Sequence, residues 1–193
     1  MKRSRNDTKA WVARLCRVTL CWPLLLAFAC SLNAQEMTRQ QLSDSAKHFA
    51  QEFYSWYVRT AQNEHAAPAW DFALKHRSSA FSPELLRALK EDSAAQANSP
   101  GEIVGLDFDP FLASQDPEDR YEVGKVTQKG KSYWVEVYGV RSGKRIEPAA
   151  VLAELLRRNG HWTFVNFHYP GPYGNDLLSI LKLLREDRQK SAQ

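Results

Sequence analysis

The 193-residue chain carries 26 lysines and arginines against 22 aspartates and glutamates, a formal net charge of +4. Six of those basic residues and one acidic residue fall within positions 1–34, leaving 20 against 21 and a net charge of −1 for the rest. That balance excludes the basic surface of a nucleic-acid-binding protein, and the length allows one domain with an appendage.

The appendage comes first. Lys2, Arg3, Arg5, Lys9, Arg14 and Arg17 form a basic segment, followed by an apolar run from Val18 to Leu32 and then by Ala34. A basic region, a short apolar stretch and a small residue describe an export signal, and cleavage after Ala34 is expected. The apolar run is shorter than the roughly 20 residues that a spanning helix needs, and it contains Pro23. Residues 1–34 are therefore read as a signal peptide, and 35–193 as a single exported domain, soluble in the periplasm. Cys16, Cys21 and Cys30 are the three cysteines, and all lie in the signal. The remaining 159 residues must hold together by their core, burying roughly 68–70% of the unfolded surface. A lipoprotein signal would end at Cys30, but Ala27-Phe28-Ala29 fits that pattern poorly because Phe28 is bulky. A membrane is met only if Cys30 is lipidated.

Thr38 with Gln41 three residues on makes a capping box, opening a helix over about 38–62. Its apolar stripe is Leu42, Ala46, Phe49, Phe53, Tyr57 and Ala61. Phe53 and Tyr57 read as core, whereas Tyr54 and Trp56 point elsewhere and are candidates for lining a cavity or meeting a partner. A short helix follows Pro68 through Trp70 to His76. Ser82-Pro83-Glu84 then supplies an N-cap, a proline that needs no N–H, and an acid suited to a helix start. Leu85, Leu86 and Leu89 give that helix its stripe, and Asn98-Ser99-Pro100-Gly101 ends it.

Five carboxylates crowd the stretch 107–119. Asp107, Asp109 and Asp116 could gather a hard cation such as calcium, but Phe111 and Leu112 stand where a calcium loop wants an oxygen ligand and glycine. The competing reading has these aspartates initiating turns, with Phe108 and Phe111 plugged into the core.

Two β-hairpins come next. Residues 121–128 and 132–140 flank Lys129-Gly130-Lys131, and 149–158 and 161–169 flank Asn159-Gly160. Tyr133, Val135 and Val137 share one face of their strand, with Trp134, Glu136 and Tyr138 on the other. In the last strand Trp162, Phe164, Asn166 and His168 alternate with Thr163, Val165 and Phe167. A four-stranded antiparallel sheet with helices packed on it is expected. Phe49, Phe53 and Tyr57 should face Trp162, Phe164 and His168, with Trp134 or Tyr133 alongside. The segment 168–175 offers Tyr169 and Tyr173 between prolines and glycines, and Asn175 or Asp176 caps a final helix with the stripe Leu177, Leu178, Leu181 and Leu184.

No cysteine nucleophile survives export, and there is no Gly-x-Ser-x-Gly elbow, His-Glu-x-x-His helix or glycine-rich phosphate loop. His168 stands out among the histidines, as a structural residue or as a ligand contact. No cofactor is implied.

The aromatic cluster Phe53-Tyr54-x-Trp56-Tyr57, the segment Phe81-Ser82-Pro83-Glu84-Leu85-Leu86, the Asp109-Pro110-Phe111 loop with Gln115-Asp116, and two hairpins before a Pro/Gly loop resemble the bacterial envelope family called domain of unknown function 3828. The resemblance spans roughly residues 45–187. Its element order is similar to the NTF2-like fold, which implies an α+β domain with N-terminal helices on a curved four-stranded antiparallel sheet, a C-terminal helix and an enclosed pocket. That fold hosts enzymes, ligand carriers and protein-binding modules, so it does not select a function. The expectation is an exported, non-enzymatic binding domain whose partner is an envelope protein, an immunity protein against a cell-wall-degrading toxin being one version. The alternatives are a pocket for a small apolar ligand and an NTF2-like enzyme using His168. The binding residues expected are Tyr54, Trp56, Trp134, His168, Tyr169 and Tyr173.

Overall fold

Helix α1 (Arg39–Asn63) begins directly after Thr38 and buries Ala46, Ala50, Tyr54 and Val58 along one i, i+4 row and Phe53 and Tyr57 along the next. Two adjacent rows make an apolar band wide enough to lie on a sheet. The computed structural model describes residues 37–63, 68–171 and 175–191 of the chain. The chain divides into units Met1–Thr38 and Arg39–Gln193. The expected signal segment, with Cys30, lies outside the described residues, as does Tyr173.

Helix α2 (Ala69–His76), a single 3-10 turn (Ser78–Ala80) and helix α3 (Pro83–Ala97) complete the N-terminal helices. Ser82 caps α3 as its sequence predicts, its Oγ accepting the Leu85 N–H at 3.3 Å. Just before it, the Ser82 N–H donates to the Phe164 carbonyl at 2.8 Å, tying this entry to the sheet. Among the described residues no helix is long and apolar enough to cross a membrane.

The sheet is antiparallel throughout: β1 (Arg120–Lys129), β2 (Ser132–Arg141), β3 (Lys144–Arg145), β4 (Val151–Arg158) and β5 (His161–His168), in spatial order β1-β2-β4-β5 with β3 beside β2. The molecule is thus a mixed α+β fold. Gly130 opens its two-residue turn at φ 60°, while Asn159-Gly160 takes φ 51° and 82°, positive at both centres as a type I′ turn requires. A third tight turn, not expected, is Ser142-Gly143 at φ 50° and 75°. It sends the chain back along β2 as the two-residue β3. The 146 N–H then bonds the Gly139 carbonyl at 2.9 Å and the 150 N–H bonds the Val137 carbonyl at 2.8 Å, so β3 and β4 are two parts of one interrupted strand.

One face of the sheet lies against the helices. Phe164 is the hub: its ring centroid is 4.8 Å from Phe53, 5.1 Å from Phe49 and 5.1 Å from Phe167. Trp162 packs edge-on to Tyr133 at 5.0 Å and donates its indole N–H to Ser45 of α1 at 2.9 Å. At the free edge of β1 the Gln51 side chain acts as a substitute strand, accepting the Val123 N–H at 2.9 Å and donating to the Tyr121 carbonyl at 3.4 Å. Such a cover blunts an edge that would otherwise offer itself to another strand.

Helix α4 (Leu177–Ser191) starts at Asp176, whose carboxylate accepts the Ser179 N–H at 3.1 Å. Its far end is anchored by Arg188, which donates to buried Asp92 of α3 at 2.7 Å and to the Val104 carbonyl at 2.8 Å.

Candidate functional site

The position of His168, the histidine singled out from the sequence, is decided by a β-bulge. In β5, Leu155 pairs with Phe164 but Glu154 pairs with Asn166, so Val165 is an extra residue without a counterpart. Past a one-residue insertion every side chain changes face. Phe167 therefore turns inward and is fully buried, while Asn166 and His168 leave the face that holds Trp162 and Phe164. This corrects the expectation that His168 faces helix α1. The space expected there for an enclosed pocket is filled by packed rings, Phe53, Tyr57, Phe81, Phe111 and Phe164 among them.

On the outer face His168 meets Trp134, the residue expected beside it, in another setting. The two reach over β4 and stack, with centroids 3.9 Å apart and planes inclined by 17°. The imidazole Nε2 lies 2.9 Å from Oε2 of Glu154, and the two side chains are 23% and 20% exposed, so the pair is neither sealed nor freely solvated. The Lys129 ammonium stands 3.5 Å from the centroid of the same indole. Two groups within 4 Å of one ring centre cannot share a face, so Lys129 and His168 clasp Trp134 from opposite sides.

The neighbouring rows extend the patch. The Tyr138 hydroxyl donates to Glu136 at 2.9 Å, which raises the phenol pKa, and Arg145 lies 4.6 Å over the Tyr138 ring. In the bulge of β1, a Cβ at Gly124 would come within 2.5 Å of the Tyr138 ring, so glycine there lets the phenol lie flat. Leu152 and Leu156 share this face of β4, half-buried. The start of α4 meets the margin of this face, where Asn166 donates to Asp176 at 2.7 Å and accepts the Leu178 N–H at 3.2 Å.

The other expected residues are dispersed. Tyr54 is fully buried and donates to the Phe111 carbonyl at 3.0 Å, a correction, because the buried band of α1 includes its row and turns it to the core. Trp56 is half-buried, stacked against Phe72 at 6.3 Å with Arg77 over it at 4.8 Å. Tyr169 donates to the Pro110 carbonyl at 2.9 Å and, like Tyr54, has its pKa raised by burial. The structure thus brings together Trp134 and His168 and separates both from Tyr54, Trp56 and Tyr169. Glu154, Lys129 and Tyr138 were not singled out from sequence; the alternation that set Trp134 and Tyr138 on one face was the available signal.

The acidic stretch does not converge. Asp109 Oδ1 accepts the Phe111 and Leu112 N–H groups at 2.9 and 3.1 Å, and Oδ2 accepts the Tyr57 hydroxyl. Burial raises its pKa to about 6 against these hydrogen bonds. Asp107 and Asp116 are exposed, and among the described residues no group of three or more histidine, cysteine or acidic side chains could hold a metal ion. At the end of β5, burial pushes the Asp176 carboxyl up, but hydrogen bonds from Asn166 and Ser179, with nearby His168, bring it below its usual range.

No family model matches this chain, and no curated protein does. Among solved structures it is similar to a chain of the type VI native effector–immunity complex Tae3–Tai3 from Ralstonia pickettii, at 20% identity and a TM-score of 0.47, covering 65% of this chain and 95% of that one. A likeness at this level carries no argument about activity or partner.

Proposed function

We propose that this chain is an exported periplasmic domain that binds a protein partner through the outer face of its sheet. The observation that supports this reading is the contrast between the two faces. The inner one is consumed by the aromatic core, whereas the outer one holds Trp134, Tyr138, Leu152 and Leu156 half-buried among charged side chains. Tryptophan and tyrosine fixed on a rigid sheet and rimmed by charges are the usual anchors of protein recognition. An immunity protein that blocks a cell-wall-degrading toxin is the concrete version, by analogy with other small exported domains.

The test uses the tagged chain and envelope extract. Wild type and Trp56→Ala should retain one stoichiometric protein that Trp134→Ala loses at unchanged melting temperature. Equal retention by Trp134→Ala refutes the sheet face as the docking surface. A co-purifying small molecule in native mass spectrometry, with no protein, would replace this reading by that of a ligand carrier. Export is tested separately: the intact mass of periplasmic protein should match a chain beginning at Gln35, and a diacylglyceryl adduct on Cys30 would make it a lipoprotein instead.

A further inference from the structure

We propose that protonation of His168 drives the Lys129 ammonium off Trp134 and so uncovers one face of the indole. The two groups occupy opposite sides of one ring, the ammonium at 3.5 Å and the imidazole at 3.9 Å from its centroid. A neutral imidazole stacked on one face leaves the electron-rich other face to Lys129. An imidazolium draws on the same quadrupole and places a second positive charge about 7 Å away through the ring, inside the screening length of physiological salt. The two cations then compete for one ring, and the less firmly held of them gives way.

Their surroundings decide which. His168 is held by Glu154 at 2.9 Å on β4 and lies close enough to Asp176, at the start of α4, to lower that carboxyl's pKa. Glu136 of β2 stands in the same cross-strand row, opposite Leu152, which in turn pairs with His168. The carboxylates on its side of the ring are thus Glu154, Asp176 and Glu136, and Lys129 is the cation that faces it across the indole. Lys129 is exposed near the tip of its hairpin on a flexible stem, and its ammonium has no carboxylate partner among the described residues. Lys129 is therefore the group that departs. Histidine is the side chain that ordinarily changes charge between pH 5 and 8, so acidification across that range is the perturbation that tests the device. That the uncovered indole then receives a partner rests on the function proposed above; the switch itself belongs to the free protein.

The free protein accordingly provides the deciding measurement. In its NMR spectrum the Lys129 ε-methylene protons should be shifted upfield by the indole ring current at about pH 8. They should move toward the values of an unstructured lysine as the His168 ring protons titrate, with coincident midpoints. In His168→Gln, and in His168→Phe should the first variant fold poorly, the upfield shift should persist down to about pH 5. A Lys129 resonance that stays put while His168 titrates, or that moves equally in the variants, overturns the inference. Once a partner is captured, its Kd should tighten on acidification with wild type and not with His168→Gln. Failure to capture any partner counts against the proposed function and leaves the NMR result to judge the switch.

Discussion

Replacing Asp109 by asparagine should change how stability depends on pH, with a sign that follows from the geometry. The carboxylate is enclosed by Tyr57 and the 109–112 turn, and burial lifts its pKa from 3.8 to about 6 in the folded state. Between those values the folded chain holds a proton that the unfolded chain has released. Stability from this group is thus fully present below about pH 4 and is lost as pH rises through about 6. Two pK units correspond to about 3 kcal/mol. Asp109 also borders an open groove beside Trp70 and Phe108, and as a residue it is only half-buried, so water relieves part of the penalty. A span of about 1–3 kcal/mol is the expectation. Asparagine carries no charge at any pH, and its carbonyl can still accept the Phe111 and Leu112 N–H groups. The variant should therefore gain on wild type by about 1–3 kcal/mol between pH 4 and pH 7. Urea unfolding followed by tryptophan fluorescence across that range measures it. A difference constant to within about 0.5 kcal/mol would show that the carboxylate is not desolvated. A wild type that gains instead would show that its hydrogen bonds outweigh burial and hold the folded pKa below 3.8.

Three further outcomes are expected. Phe164→Ala, at a fully buried position ringed by Phe49, Phe53 and Phe167, should cost about 3–5 kcal/mol in chemical denaturation. Arg188→Met leaves Asp92, 1% exposed, without its cation and should cost about 3–5 kcal/mol, with part recovered by adding Asp92→Asn; a loss under about 1 kcal/mol would mean that water already serves that carboxylate. Saturating calcium should leave the melting temperature unchanged, because both Asp109 oxygens are already engaged and Asp107 and Asp116 point to solvent; a rise would reveal a metal site in the acidic stretch.

The elements that could be read from residues are those specified locally. Ser82-Pro83-Glu84 begins a helix wherever it is placed, because an oxygen cap and a missing N–H answer the needs of the first turn. Asn159-Gly160 makes a tight turn because both residues tolerate positive φ, and the alternation of Tyr133, Val135 and Val137 sets their face. Helices followed by antiparallel hairpins, the α+β class and the separation of Trp134 from Tyr133 all follow from such local rules. Ser142-Gly143 was legible in principle by the same rule, but the two-residue strand after it is too short to carry a pattern.

What only the tertiary structure decided turns on a few displaced residues. Nothing near Val165 signals an insertion; the bulge exists because Phe164 and Phe167 both fit the core while β4 keeps its own pairing, and that fit depends on rings from α1 and on Phe111. The cost of exposing Phe167 exceeds that of one interrupted ladder, so His168 is carried to the outer face and onto Trp134. Tyr54 is buried for the same kind of reason, since a helix lying flat on a sheet buries two rows and its sequence alone does not say which second row will be covered. Composition and capping chose the elements of this protein; the packing of its aromatic rings chose which side chains were left on the outer face of the sheet.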